Sequence, residues 1–298
     1  MSEETLIVCD GLVKIFKTED VEVMALQGLD MEIKRGELMS VIGKSGSGKS
    51  TLMNIIGGLE KPSAGKIITN GKNLSEMTEK EMVTYRKKTV GFVWQKSERN
   101  LFKYLTALEN IEAAMNFSGK SKKEKRSKAL ELLEMVGMSH KKDSYPTKMS
   151  GGEQQRIAIA VAIANEPDIL LADEPTGAVD TKTSNRIQDL FRKLNKELGI
   201  TIIIVTHDMK LAAKVDRVVM ISDGKISTEK IMKQEYREKI DSLTDAELVE
   251  DAHEEFSVLD KAGRVQLSDE MLESAGIDTN KVKVTVEDGK VIITAENS

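Results

Sequence analysis

The segment Gly43 to Ser50 is the part of this sequence whose residue types and spacing most directly predict chemistry. It reads Gly-Lys-Ser-Gly-Ser-Gly-Lys-Ser and fits the phosphate-loop pattern G-x-x-x-x-G-K-[S/T]. Glycines let the backbone curl until successive N–H groups point at phosphate oxygens, and a following helix adds partial positive charge. We expect Lys49 to reach the β- and γ-phosphates of a nucleotide and Ser50 to ligate Mg²⁺. The other residues expected to hold the nucleotide here are Gly43, Ser45, Gly46, Ser47, Gly48 and Thr51.

A pair of acids follows an apolar run further along the chain. Residues 169–172 read Ile-Leu-Leu-Ala, and Asp173 and Glu174 come directly after them. In folds with a phosphate loop, an acid at the carboxyl end of a buried strand lies beside that loop. We therefore expect Asp173 to hold Mg²⁺ and Glu174 to act as the general base that polarises the attacking water.

A second glycine-containing segment also precedes a helix. Ser150, Gly151 and Gly152 stand before the small apolar residues of 153–164. Such a helix start presents another set of backbone donors to an anion. Because one nucleotide needs only one phosphate loop, this second set of donors requires a separate explanation.

The elements around these residues favour an α/β fold. Runs rich in Leu, Ile and Val at 38–42, 169–172 and 202–205 are typical of strands buried inside a parallel sheet. Helices are predicted from Thr51 to near Gly57, over 120–133 and over 153–164. The pairs Thr78 with Glu81 and Ser121 with Glu124 predict two capping boxes. Shorter strands are predicted at 6–8, 13–16, 29–33 and 218–221.

The residues around the second segment resemble a motif of a known family. Met149 to Arg156 resembles the signature sequence of ATP-binding-cassette (ABC) ATPases. Residues 5–226 resemble an ABC transporter ATPase subunit, in particular the macrolide-exporter and lipoprotein-release (MacB/FtsX-like) type. The supporting segments are 25–29 (ALQGL), 54–59 (NIIGGL), 105–110 (LTALEN) and 172–177 (ADEPTG).

The resemblance assigns further residues. Gln95 matches the Q-loop residue that touches Mg²⁺ or the water, and His207 matches the switch histidine that contacts the γ-phosphate. Phe16 matches the aromatic residue that stacks on adenine. Asp180 matches the D-loop aspartate that communicates across a dimer.

The resemblance also implies an assembly that explains the second set of donors. Two copies form a head-to-tail homodimer, and Ser150, Gly151 and Gly152 of one copy close on the γ-phosphate held by Lys49 of the other. Each ATP is then shared, and neither copy makes a complete site alone.

The implied fold is a P-loop NTPase cassette with a parallel core sheet, an antiparallel β subdomain and an α-helical subdomain at about 96–165. The implied partner is an integral membrane permease of FtsX/MacB-like type, which keeps the chain peripheral on the cytoplasmic face of the cell membrane. No run of about 18 apolar residues is present, so we expect no membrane span in the chain itself. The stretch 96–104 is about two residues longer than in typical relatives, which affects the expected geometry of permease contact.

Beyond residue 226 the sequence changes character. Polar helices are predicted at 230–240 and 245–255, within a linker of 227–255. Residues 251–298 carry a net charge of −6 against −5 for the whole chain, so the preceding 250 residues carry +1. Alternating valines at 282, 284 and 286, followed by Asp288-Gly289, predict a β-hairpin. Residues 256–298 resemble the AbrB-like swapped-hairpin fold, which implies dimerisation or regulation; its acidity argues against the DNA binding of many relatives, and we expect no nucleic-acid partner.

Three functions follow in order. The first is an ATPase subunit that powers a transporter, most readily an exporter. The second is an ABC ATPase that regulates a membrane protein mechanically, as in control of cell-wall hydrolases, and the third is a DNA-binding regulator led by the C-terminal module. The sequence does not identify a transported substrate, because another chain, the permease, selects it.

Overall fold

A seven-stranded sheet forms the centre of the molecule, which is described by a computed structural model over residues 4–17, 21–177, 179–209, 214–237, 252–279 and 281–295. In sheet order its strands are β11 (His253–Ser257), β10 (Lys225–Met232), β9 (Arg217–Ser222), β3 (Leu38–Ile42), β8 (Thr201–Thr206), β7 (Ile169–Asp173) and β6 (Val90–Val93). The five strands from β9 to β6 are parallel, and β10 and β11 continue the sheet in antiparallel pairing. Strands β3 and β8 are buried along their whole length, which confirms the parallel core sheet expected from their apolar sequences.

Helices cover both faces of this sheet. Their bounds are α1 (Lys49–Ile56), α2 (Glu79–Lys88), α3 (Ala107–Ala114), α4 (Lys122–Met135), α5 (Gly151–Ile163) and α6 (Thr181–Leu198). On one face α3, α4, α5 and α6 bury a cluster that includes Leu132, Ile159 and Phe191. On the other, Leu52 and Ile55 of α1 pack with the inner residues of a second sheet. The phosphate-loop segment is thus anchored between two cores.

The second sheet is antiparallel, as the resemblance implies. Its order is β2 (Glu22–Lys34), β1 (Thr5–Lys17), β4 (Ala64–Thr69) and β5 (Lys72–Asn73). The two short strands expected at 6–8 and 13–16 form one strand, whose pairing with β2 shifts register between Cys9 and Leu12. Gly11 accommodates this bulge with a φ of 58°, and its N–H donates to Asp30 Oδ1 at 2.8 Å.

Side-chain caps mark the starts of α2, α3, α4 and α5. The expected capping boxes of Thr78 with Glu81 and Ser121 with Glu124 are both confirmed. Further capping boxes are formed by Thr106 with Glu109 at the start of α3 and by Ser150 with Glu153 at the start of α5. In each box the serine or threonine oxygen accepts the N–H of the third helical residue and the glutamate accepts the cap's own N–H.

The chain beyond residue 226 differs from the expectation. Residues 230–232 belong to β10 and residues 253–255 to β11, where helices were expected. A short helix, α7 (Gln234–Arg237), lies within the first expected helix, and residues 238–240 and 245–251 of the expected helices lie outside the described residues. The physical reason is strand pairing. Ser227, Thr228 and Met232 are buried where β10 pairs with β9 and β11. The expected boundaries at 226 and 256 therefore fall inside strands of the central sheet.

The segment after β11 lies against the antiparallel sheet. Lys261 forms ion pairs with Asp10 and, at 2.9 Å, with Asp30. The hydrogen bond from Lys261 lowers the pKa of the Asp10 carboxyl. The hydrogen bonds from Lys261 to Asp10 and Asp30 raise the pKa of Lys261. These exposed pairs hold the loop against the cassette through direct contact.

The expected hairpin is confirmed at the C-terminal end. It consists of β12 (Val282–Glu287) and β13 (Lys290–Ala295) around the Asp288-Gly289 turn, and a short helix, α8 (Asp269–Ser274), precedes it. The two strands form a separate two-stranded sheet, and a swapped-hairpin fold is not confirmed. None of the helices in the described ranges combines the length and apolarity needed to cross a bilayer.

Candidate functional site

The chemistry-bearing residues meet at one edge of the central sheet. Strands β3, β8, β7 and β6 are neighbours and parallel, so their carboxyl ends lie side by side. The residues that follow these ends are, in turn, the phosphate-loop segment, His207, Glu174 and Gln95. This placement brings together groups that are scattered over 43–207 in the sequence.

The phosphate-loop segment leaves no space for side chains at two of its glycines. A Cβ on Gly43 would lie 2.2 Å from the carbonyl oxygen of Ile221. Gly48 has a φ of 106°, and a Cβ there would lie 2.4 Å from the carbonyl oxygen of Ala25. The loop is therefore pressed between β9 and β2, and only glycine satisfies both contacts.

Lys49 extends from the first turn of α1 back over the loop. Its Nζ donates to the carbonyl oxygens of Gly43 and Lys44 at 2.8 and 2.9 Å. Burial lowers the pKa of Lys49, while the nearby charges of Glu174 and Asp173 act in the opposite direction. The ammonium group is thus held at the loop in a partly desolvated position, where its attraction for an anion is stronger than in water.

Ser47 supplies a further sign that the loop is built for a ligand. Its hydroxyl oxygen is buried and has no hydrogen-bond partner within the described parts of the chain. A buried polar atom of this kind costs free energy unless a ligand or water satisfies it. Ser45, Gly46 and Ser50 lie exposed around it, and Thr51 is half-buried.

Glu174 lies at the centre of a hydrogen-bond network. Gln95 Nε2 donates to its Oε2 at 3.0 Å, and His207 Nδ1 lies 2.9 Å from its Oε1. Because an ionised carboxylate only accepts hydrogen bonds, this contact assigns a proton to Nδ1. Glu174 adopts a φ of 43°, and its N–H donates to the carbonyl oxygen of Val205 on β8. The carboxylate is held on both oxygens by residues from two neighbouring strand ends.

Asp173, the last residue of β7, is half-buried beside this network. Burial raises the pKa of its carboxyl, and the charge of Glu174 raises it further, while Arg99 and Lys49 oppose the shift. Two adjacent carboxylates of this kind repel each other, so the site gains from a cation that both can face.

The other expected residues lie on different elements. Ser150 caps α5, and Asp180 caps α6 by accepting the N–H of Thr183. Both residues begin helices of the cassette. Phe16 lies on β1, opposite Val23, with its ring 40% exposed and Lys14 Nζ 4.9 Å from the ring centroid.

One part of the site was not singled out from the sequence. The turn after β9 contacts the phosphate-loop segment, since Gly224 N–H donates to the carbonyl oxygen of Ser47 at 3.1 Å. Gly224 also accepts from Gln27 N–H on β2, so the turn joins the two sheets at the loop. The Asp223-Gly224 pair marks a turn in the sequence, but its contact with residue 47 depends on the tertiary fold.

Comparison with known proteins agrees with this arrangement. The sequence profile of the family described as "ABC transporter" matches residues 26–177. The chain belongs to the ABC transporter family. It is an ABC ATPase, the nucleotide-binding subunit of a transporter, and it binds ATP.

Two curated relatives indicate which type of ABC ATPase this chain is. The chain is 42% identical over 221 residues to the lipoprotein-releasing system ATP-binding protein LolD 2 of Caulobacter vibrioides, covering 74% of this chain and 96% of the relative. It is 42% identical over 223 residues to the macrolide export ATP-binding/permease protein MacB of Agrobacterium fabrum, covering 75% of this chain and 34% of that protein. This ABC ATPase is therefore of LolD/MacB-like type.

A solved structure gives the fold. The dimeric post-hydrolysis state of the ATP-binding cassette MJ0796, bound to ADP and Pi, matches with a TM-score of 0.70 and 39% identity. The match covers 76% of this chain and 99% of that one. The expected P-loop ABC cassette fold is confirmed, and the C-terminal hairpin is present in addition.

Steric closure around the phosphate loop leads to a prediction. Gly43→Ala should lower ATP affinity by at least about tenfold, because the new Cβ displaces the loop from β9. Gly46→Ala is the matched control: its φ is also positive, at 81°, but a Cβ there meets nothing within 4 Å. We expect a smaller loss for Gly46→Ala in equilibrium binding of a fluorescent ATP analogue. Equal losses in the two variants would contradict the steric argument.

Proposed function

We propose that this ABC ATPase hydrolyses ATP through Glu174 as general base. The observation that carries the proposal is the carboxylate of Glu174, held on both oxygens by Gln95 and His207 at the sheet edge that carries Lys49. Glu174 accepts the proton of the attacking water while the water oxygen bonds to the γ-phosphorus and the bond from that phosphorus to the bridging oxygen breaks. ADP leaves with the electron pair of that bond. His207 holds the carboxylate and contacts the γ-phosphate.

The phosphate loop supplies position and charge. The N–H groups of Gly46, Gly48 and Lys49 at the loop and the helix start face the phosphates, and Lys49 exchanges its two carbonyl partners for phosphate oxygens. The desolvated ammonium makes this exchange favourable, because a phosphate oxygen carries more negative charge than a carbonyl. Ser45, Ser47 and Thr51 complete the cradle, and Phe16 stacks on adenine.

Mg²⁺ fits the residues at this edge. Asp173 is an acid whose pKa is raised by burial and by Glu174, so a bound cation would relieve a real electrostatic cost. Mg²⁺ binds to one or two protein groups and to substrate phosphates, so a small set of protein ligands is enough to hold it. Asp173, Ser50 and Gln95 would hold it, and it would neutralise charge on the phosphate oxygens.

A head-to-tail homodimer completes the site. Ser150 uses its oxygen to accept Glu153 N–H at 3.3 Å, and a hydroxyl that accepts can still donate its own hydrogen. Ser150, Gly151 and Gly152 of one copy then close on the γ-phosphate of the other, with Asp180 nearby. The dimeric state of the MJ0796 cassette supports this assembly.

The base assignment gives a direct test. Glu174→Gln keeps the shape of the side chain but replaces one acceptor oxygen with an NH₂ donor, and its amide cannot take a proton. ATP hydrolysis should fall by at least about a hundredfold, while ATP binding is retained and a closed dimer accumulates.

Phosphate release and size-exclusion chromatography with ATP measure these effects. Asp208→Asn, an acid-to-amide change at an acid that follows the next strand, β8, is the control and should retain most of the activity. Normal turnover in Glu174→Gln would remove Glu174 from the role of base.

The partner is an FtsX/MacB-like permease, and the work is export from the cytoplasmic face of the cell membrane. The names of the LolD and MacB relatives support this choice. So does an exposed aromatic pair after Gln95: Phe102 and Tyr104 are 53% and 73% exposed, with ring centroids 5.6 Å apart. Large exposed rings of this kind are typical of protein-contact sites.

Permease contact can be tested at that pair. Phe102→Ser with Tyr104→Ser should leave the ATPase rate of the isolated chain unchanged and lower permease-stimulated hydrolysis by at least about fivefold, since the aromatic anchors of an interface carry much of its energy. The measurement is ATPase activity with an FtsX/MacB-like permease reconstituted in lipid.

Phe117→Ser is the control, because Phe117 is 80% exposed but follows α3 instead of the strand end at Gln95. Equal loss in that control would place the contact elsewhere. Flux of substrate through the reconstituted pair distinguishes a transporter from the runner-up function, a mechanical regulator.

The C-terminal hairpin is proposed to support dimerisation. The pairing register places Val282, Val284 and Val286 beside Val291, Ile293 and Ala295 on one face. Val284 and Val286 are 58% and 72% exposed there. The opposite face carries mainly polar residues, including Lys283 and Thr294. Burial of this apolar face against the same face of a second copy would tether two cassettes.

The two faces of the hairpin allow a paired test. Val284→Asp should weaken dimerisation of the ATP-free chain by at least about tenfold, because a carboxylate would be buried in an apolar contact. Thr294→Asp adds the same charge on the polar face and should leave dimerisation unchanged. Analytical ultracentrifugation measures both variants. Unchanged association of Val284→Asp would show that the hairpin does not link the copies.

A further inference from the structure

Gly152 is a glycine because of a neighbour on another helix. It is buried in the first turn of α5, where its backbone is helical and any residue could adopt its conformation. A Cβ on Gly152 would lie 2.2 Å from Cγ2 of Thr183, in the first turn of α6. The next-nearest atoms, Cβ and Oγ1 of Thr183, would be at ordinary distances of 3.5 and 3.7 Å. One methyl group therefore accounts for the steric demand.

The same threonine also holds Asp180. Its hydroxyl donates to Asp180 Oδ2 at 2.7 Å, and its N–H donates to Oδ1 at 3.0 Å. These two hydrogen bonds from Thr183 are the largest causes of the lowered pKa of Asp180. The carboxylate is thus fixed in orientation at the start of α6 although it is exposed.

Thr183 consequently touches both segments that each copy offers to the other. Its methyl group faces Gly152 of the segment 150–152, and its hydroxyl holds Asp180. We propose that Thr183 is a positioning residue that fixes these two segments relative to one another, so that they reach the partner's nucleotide as one unit. The inference rests on the proposed head-to-tail homodimer and adds a residue to which no role in the reaction was assigned above.

The side chain of threonine is suited to this task because it carries both groups on one carbon. Serine at 183 keeps the hydroxyl and loses the methyl group. Valine keeps a methyl group and loses the hydroxyl. Because both groups are bonded to Cβ, a single χ1 rotamer sets both contacts together. The two substitutions therefore separate the contact with Gly152 from the hydrogen bond to Asp180.

The decisive experiment is a rescue in the full-length chain. Gly152→Ala should lower kcat for ATP hydrolysis by about tenfold or more, with less than about a twofold change in KM, since the phosphate loop of each chain is intact. Adding Thr183→Ser to Gly152→Ala removes the clashing methyl group and should restore kcat to within about threefold of Thr183→Ser alone. Adding Thr183→Val keeps a methyl group and should restore nothing.

A second glycine serves as the control for rescue. Gly177→Ala introduces a Cβ 3.1 Å from Gln95 Nε2, with Thr183 absent from its nearest neighbours. Thr183→Ser should therefore fail to rescue Gly177→Ala. Rescue of both glycine variants would mean a general effect of serine at 183 and would overturn the proposal.

Two measurements separate this inference from the proposed function. The first is ATP-driven dimerisation of each variant on the Glu174→Gln background, and the second is thermal unfolding, which identifies a variant that fails to fold. Thr183→Ser and Thr183→Val alone should each lower kcat by about threefold or more with ATP affinity unchanged. If both singles keep wild-type kcat, or if Thr183→Ser leaves Gly152→Ala unrescued, Thr183 has no positioning role. If the wild-type chain neither dimerises with ATP nor hydrolyses it, the proposed function fails instead.

Discussion

Parallel strands can end at a common edge of a sheet only if the chain between consecutive strands crosses back over a face of the sheet. This constraint determines the arrangement of the cassette. Strands β3, β8, β7 and β6 are buried and adjacent, and α1, α5 and α6 run over their faces. The residue that follows each strand end therefore lies at this common edge. Apolar burial in the strands thus determines the positions of polar groups that touch none of that core.

Charge balance at this edge follows from the same burial. Lys49, Asp173 and Glu174 share a partly desolvated region, where burial lowers the pKa of the lysine and raises that of the aspartate. Each shift disfavours the charged form, while the opposite charges nearby favour it. A bound polyanionic nucleotide would compensate the positive charge of Lys49, and its cation would compensate the negative charges of Asp173 and Glu174.

Local interactions explain why so much of the fold could be read from the sequence. A capping box or a phosphate loop is specified by residues within one or two turns, so Thr78 with Glu81 and the segment 43–50 are recognisable in isolation. Strand β10 could not be recognised in this way. Its polar residues resemble an exposed helix until β9 and β11 are placed on either side. The contact of Gly152 with Thr183 depends on how α5 packs against α6, which no local pattern encodes.

The position of β11 has a practical consequence for any shortened version of this protein. A chain cut at residue 226 would remove β11 and most of β10 and leave β9 with an unpaired row of N–H and C=O groups. Unpaired strand edges of this kind promote aggregation between molecules. A minimal catalytic fragment should therefore end after Ser257, where the last strand of the sheet is complete.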